Sequence, residues 1–166
     1  MKNFELTYFG KIDIDHLEDS YDADMELEEQ EISLSVFFDS KSISEVVLTD
    51  LENFLQNIEE SNNASLEYIL NDFNSESSIT KDYIKYFIED LEDEIADMID
   101  FESTIKSPEN QLLENLQLTN IALYPEISDE FAVLDYAIEI EDELSDDLLV
   151  VILDKSGKLI RITWES

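Results

Sequence analysis

The chain has 166 residues and sets 43 Asp and Glu against 9 Lys and Arg, a formal charge of −34, yet 43% of its residues are apolar and 10% aromatic. That apolar content suits a packed core and excludes a disordered acidic tail. The charge repels phosphate and argues against direct contact with DNA, RNA or an anionic membrane surface. With no Cys and one His, His16, the composition also excludes disulfides, thiol chemistry, Cys-type zinc sites and His-rich metal sites.

The length fits one domain spanning 1–166. Residues 1–10 (MKNFELTYFG) lack the apolar stretch of a secretory signal. The longest apolar run, Leu148–Leu153, falls far short of the roughly 20 residues that span a bilayer. The expectation is a cytoplasmic protein that does not enter membranes. An acidic surface of this kind also marks halophiles, but 19 Ile and 8 Lys against 6 Ala fit an AT-rich mesophile better.

In chain order, Phe4–Ile14 reads as a strand, and Ile32, Leu34 and Val36 give a second alternating set expected to pair with it. Between them, 15–30 is strongly acidic and reads as a long exposed loop. Thr49 and Glu52 fit a capping box, opening a helix that carries Leu51, Phe54, Leu55 and Ile58 to about Ser61. Asn63 is placed to cap a second helix with Leu66, Ile69, Leu70 and Phe73. In a third, Ile84, Phe87, Ile88, Leu91, Ile95, Met98 and Ile99 follow one stripe at steps of three and four. Ser107-Pro108 supplies a cap followed by proline at the first helical position, opening a short helix to about Asn115.

From Leu118 the period returns to two. Leu118–Tyr124 reads as a strand stopped by Pro125, and Ala132, Leu134, Tyr136, Ile138 and Ile140 form one face of the next. Leu148–Leu153 is apolar on both faces, as in an interior strand. Asp154 to Gly157 reads as a type I turn. The returning strand sets Ile160, Ile162 and Trp164 on one face, with Trp164 expected in the core. The fold class is α+β: two N-terminal strands, three to four helices, then a four-strand antiparallel meander, with the helices packed on one sheet face.

Three acidic clusters dominate the chemistry. Residues 13–31 hold ten acids and no Lys or Arg, residues 89–102 hold eight, and residues 139–147 hold six. On the third helix, Glu89/Asp93, Asp90/Glu94 and Asp93/Asp97 are like-charge pairs four residues apart, each destabilising by ~0.2–0.5 kcal/mol. Such crowding points either to a solvated coat or to a surface that meets a basic partner. The candidate partner-binding residues are Glu89, Asp90, Asp93, Glu94, Asp97 and Asp100 from the second cluster, with Asp22, Asp24, Glu26 and Glu28 from the first.

Asp22-x-Asp24-x-Glu26 begins like a calcium-binding EF-hand loop, but Leu27 stands where the loop needs Gly and Ser33 where it needs Glu. No metal or cofactor is expected. Gly10 and Gly157 stand alone, so no phosphate loop exists. His16 reads as a surface residue, and nothing in the pattern supports catalysis.

Ala132 to Tyr136, Leu148 to Val151, the turn Asp154-x-x-Gly157-x-Leu159 and the Gly10-Lys11-Ile12 strand end resemble an uncharacterised family of small acidic bacterial domains. In general look that family is similar to toxin-immunity proteins. The resemblance implies a non-catalytic cytoplasmic α+β protein encoded beside a partner, and brings no catalytic residues. The leading expectation is therefore immunity- or antitoxin-type neutralisation of a basic partner such as a nuclease toxin domain. The alternatives are a housekeeping domain with a soluble acidic surface, a nucleic-acid mimic, and an enzyme with carboxylates around a metal. The partner's identity, the cluster that binds it and the oligomeric state stay open.

Overall fold

The computed structural model describes residues 2–166, leaving Met1 of the N-terminal segment outside the description. Alternation in the first 37 residues resolves into two hairpins, not two strands joined by a loop. β1 (Asn3–Leu6) pairs with β2 (Gly10–Asp13), and β3 (Ser20–Leu27) pairs antiparallel with β4 (Gln30–Phe37). Half of the expected 15–30 loop is thus β3, in which Met25 is buried while Asp22, Asp24 and Glu26 are exposed. The turn between β3 and β4 is Glu28-Glu29, both at positive φ of 50° and 68°. Two-residue hairpin turns of this shape favour Asn-Gly, so the sequence carries no turn signal here. Ile32, Leu34 and Val36 lie on β4, which pairs with β3 and, in parallel, with a later strand, and not with Phe4–Ile14.

The helical segment starts earlier and breaks more often than the pattern implies. α1 (Glu45–Gln56) is capped by Ser44, whose hydroxyl accepts from the Val47 amide, in place of the Thr49 capping box. Thr49 donates back to the Glu45 carbonyl, as a mid-helix threonine does. Glu52 instead reaches the β1–β2 turn, accepting from the Thr7 amide at 2.7 Å and its hydroxyl at 3.1 Å. α2 (Ile58–Phe73) follows after Asn57, so Asn63 lies inside a helix rather than at its cap.

α3 (Ile79–Asp90) stops at Leu91, and α4 (Glu92–Ile95) restarts as a single turn, dividing the expected long third helix. Glu89 and Asp90 stand in the last turn of α3, where the helix dipole disfavours carboxylates, whereas Glu92, Asp93 and Glu94 occupy the first turn of α4, where it favours them. Glu89/Asp93 and Asp90/Glu94 therefore do not share one continuous helix. α5 (Pro108–Glu114) begins as expected, with Ser107 as cap and Pro108 in the first turn.

β5 (Leu116–Leu123), β6 (Ala132–Ile140), β8 (Leu148–Leu153) and β9 (Leu159–Glu165) form an antiparallel meander, and β7 (Glu143–Leu144) folds back on β6. With the second hairpin they make one sheet in the order β3-β4-β5-β6-β8-β9, closed by the parallel β4–β5 pair. Parallel neighbours need a long crossover, and α1–α5 supply it. Gly157 closes the β8–β9 turn at φ 84°, with its amide 3.0 Å from the Asp154 carbonyl.

One face of the sheet enters the core. Leu34, Ile121, Leu134 and Val151 stand side by side in register and pack with Leu51, Leu55, Ile84 and Phe87 of the helices. The alternate residues Ser35, Ala122, Val133, Ile152 and Arg161 form a matching row on the other face.

Candidate functional site

The sheet order separates the two groups of candidate residues. Asp22, Asp24 and Glu26 lie on the edge strand β3, with Glu28 in its turn. Glu89 and Asp90 end α3, which packs on the opposite edge strand β9. Five strand spacings of ~4.8 Å put the two edges about 24 Å apart. All ten residues are exposed.

Around α4 the structure gathers acids that the sequence keeps far apart. Tyr86 and Leu91 at the end of α3, Glu94 of α4, and Ile140, Glu141, Glu143, Leu144, Asp146 and Asp147 from the β6–β8 connection line one cleft of about 590 Å³. Five carboxylates thus share a cavity in which no Lys or Arg takes part. Among the described residues, the ion pairs fall elsewhere, as in Lys2–Glu45, Lys41–Asp19 and Arg161–Glu130.

The far wall of the cleft is a strained hairpin. Glu141 and Asp142 turn β6 into β7 at φ 52° and 67°, and Ser145 donates its amide to the Ile138 carbonyl at 2.9 Å. Left-handed backbone costs an L-residue ~1–2 kcal/mol, and Glu is a poor occupant of it. Asp147 fastens this hairpin to the body. Its carbonyl accepts from the Tyr83 hydroxyl at 2.9 Å, and its carboxylate accepts from Trp164 Nε1 at 3.1 Å.

An aromatic group backs the acids. Trp164 meets Tyr83 edge-on with ring centres 5.8 Å apart, and its ring centre lies 5.3 Å from that of Tyr86. Trp164 is 37% exposed on an edge strand, so the expectation of a core tryptophan is corrected. Desolvation and the neighbouring Asp147, Asp90 and Glu94 all raise the Tyr86 phenol pKa, so Tyr86 stays neutral. Leu144, half exposed, adds an apolar edge.

Of the candidates, Glu94 lines this cleft and Asp90 lies close enough to act on Tyr86. Glu89, Asp93 and Asp97 do not line it. Asp100 has a local role: its amide and carbonyl bond the Gln111 side chain at 2.8 Å each, tying the chain after α4 to α5. The residues that reading by sequence alone left out are Tyr86, Trp164, Glu141, Glu143 and Asp147. For the three acids the signal is the third acidic cluster at 139–147, which sits beside the second only after folding; for Tyr86 and Trp164 the sequence carries none.

A cation entering the cleft gains on several counts. At ~4 Å from one carboxylate the attraction is about 1 kcal/mol in water and about 4 kcal/mol at an effective dielectric of 20. Tyr86 presents an aromatic face worth ~0.5–2 kcal/mol to a guanidinium or ammonium. Leu91, Ile140 and Leu144 offer apolar surface to the methylene stem of Lys or Arg. Among the described residues, no three His, Cys, Asp or Glu side chains are grouped to hold a metal ion. No helix there is long and apolar enough to cross a membrane.

Comparison with known proteins gives no similarity to draw on: no family model matches the chain, and no curated protein or solved structure matches it.

Proposed function

We propose that this chain is a non-catalytic binding protein for a basic protein partner, in the manner of an immunity or antitoxin protein that covers the cationic cleft of a nuclease toxin domain. The observation that carries this reading is the cleft between α3–α4 and the β6–β7 hairpin. There five carboxylates, an aromatic ring and apolar side chains meet with no cation among them. Acids held at positive φ and crowded against one another lower the stability of the free protein, and a cationic partner relieves that repulsion. A charge of −34 also speeds encounter with a basic partner, toward ~10⁸–10⁹ M⁻¹s⁻¹ at low salt. That speed suits a protein that must reach a toxin before the toxin reaches its target.

Trp164 is the only tryptophan in the chain and hydrogen-bonds a cleft carboxylate, so its emission reports on the site. Titration with a hexa-arginine peptide is expected to change that emission saturably, whereas the uncharged citrulline counterpart leaves it flat. Replacing Glu94, Glu141 and Glu143 together with Gln is expected to abolish the response. An arginine response that survives those three substitutions places binding outside the cleft and overturns the reading.

A further inference from the structure

At the other side of the sheet, β3 offers a binding surface of a different kind. It is an edge strand of eight residues, paired with β4 alone among the described residues, and its register with β4 runs from Ser20 to Leu27 without a shift. Edge strands are commonly blunted by a bulge, a proline or a lysine, because their unpaired amides and carbonyls recruit further strands. The opposite edge follows that rule: β9 carries a register shift at Ile152/Leu153, and α3 packs against it. β3 has no bulge, no Pro and no Lys, and the charges it carries, Asp22, Asp24 and Glu26, are all negative, so they bar an acidic or neutral-to-acidic strand and admit a basic one. Its unpaired backbone is a regular template for one more strand.

The side chains determine what that strand must be. Asp22, Asp24 and Glu26 alternate along β3, all exposed, opposite Ser35, Ser33 and Glu31 of β4. Among the described residues none of them is paired with a cation: Asp22 accepts from the Ser35 hydroxyl at 2.7 Å, and Glu26 faces another carboxylate, Glu31. A second copy of this chain adding to β3 would set these acids against three more acids, and directly opposed like charges destabilise a sheet. An incoming strand with Lys or Arg at every second position places a cation beside each acid while its backbone completes the ladder.

We infer that the free edge of β3 is a second binding site, which takes up an extended basic segment of a protein partner by strand addition, with Lys or Arg at alternate positions meeting Asp22, Asp24 and Glu26. This goes beyond the cleft reading and does not depend on it, since the edge lies on the far side of the sheet.

The test uses the full chain and three synthetic ten-residue peptides. The first alternates Lys with Val. The second has the same sequence with alternate backbone amides methylated, which keeps the charge and removes the ladder donors. The third alternates Glu with Val. Backbone amide shifts measured by NMR at about 0.15 M salt are expected to move at 20–27 with the first peptide and with neither of the others. Asp22→Asn, Asp24→Asn and Glu26→Gln together are expected to weaken the first peptide by about tenfold or more, as three cross-strand charge pairs imply. All three positions are exposed, so the variant should keep its fold, which its amide spectrum reports directly. Equal binding of the methylated peptide would mean charge alone is responsible and would overturn strand addition. Shifts confined to 86–94 and 140–147 would place the peptide in the cleft, overturning this site while leaving the proposed function standing.

Discussion

Replacing Glu28 with Asn and Glu29 with Gly should stabilise the protein, because both residues sit in left-handed backbone at φ 50° and 68° with no glycine to accommodate it. An L-residue in that region costs ~1–2 kcal/mol, and introducing Gly gives back ~0.5–1 kcal/mol of that through the greater freedom of the unfolded chain. Asn at the first position recovers a further few tenths of a kcal/mol, since it tolerates this conformation far better than Glu. The double variant should therefore gain about 1 kcal/mol. At roughly 2–4 °C per kcal/mol for a domain of this size, the melting midpoint should rise by about 2–4 °C. The substitutions also remove two charges beside Glu26 and Glu31, so melts followed by circular dichroism should be run at about 0.15 M and about 1 M salt. At the higher ionic strength the Debye length falls to ~3 Å and surface repulsion is screened. Relief of backbone strain persists in high salt, so most of the gain should remain. A midpoint that does not rise, or a gain that vanishes at 1 M, would refute the strain argument. The same exchange at Glu141 and Asp142, also at positive φ, should likewise stabilise the chain but weaken binding of a basic partner, because Glu141 lines the cleft.

Two further predictions concern buried polar groups. The Tyr136 hydroxyl donates to Asn62 Oδ1 at 2.6 Å inside the core, so Tyr136→Phe leaves that oxygen unpaired and should cost ~1–3 kcal/mol in urea denaturation; an unchanged midpoint would contradict it. Asp135 has its pKa raised, mainly by burial and further by Glu165, against a bond from Asn120 that lowers it. A folded pKa above the unfolded value means the folded state holds the proton more tightly. Stability then falls as pH rises through the window above the ordinary Asp value and stays lowered at neutral pH. Asp135→Asn should raise the melting midpoint at pH 7 and leave it nearly unchanged near pH 3; an equal effect at both would rule out ionisation as the cause.

The meander was legible because its signals were local. β6 alternates, β8 is apolar on both faces, and Asp154 to Gly157 has the residues its turn requires. The second hairpin is hidden in the sequence because Glu28-Glu29 does not look like a turn, although Tyr21, Ala23, Met25 and Leu27 alternate with acids at the strand period. The stripe from Ile84 to Ile99 suggested one helix. Periodicity shows which side of a segment is apolar but not where one helix stops and the next begins, and this segment divides at Leu91. The cleft was the least legible feature. Glu94 and Asp147 lie 53 residues apart, and only the packing of α3 on β9 and the hydrogen bonds made by Asp147 bring their clusters together.

The central claim, that the cleft receives a basic protein, is tested most directly by capture from native lysate on the tagged full chain, run in parallel with the Glu94→Gln, Glu141→Gln, Glu143→Gln variant and washed at low and high salt. The account predicts one basic protein that stays on the wild-type chain through the high-salt wash and is lost from the variant. A spread of cationic proteins, held equally by both chains and released by salt, would contradict it and reduce the acidic surface to a solvated coat.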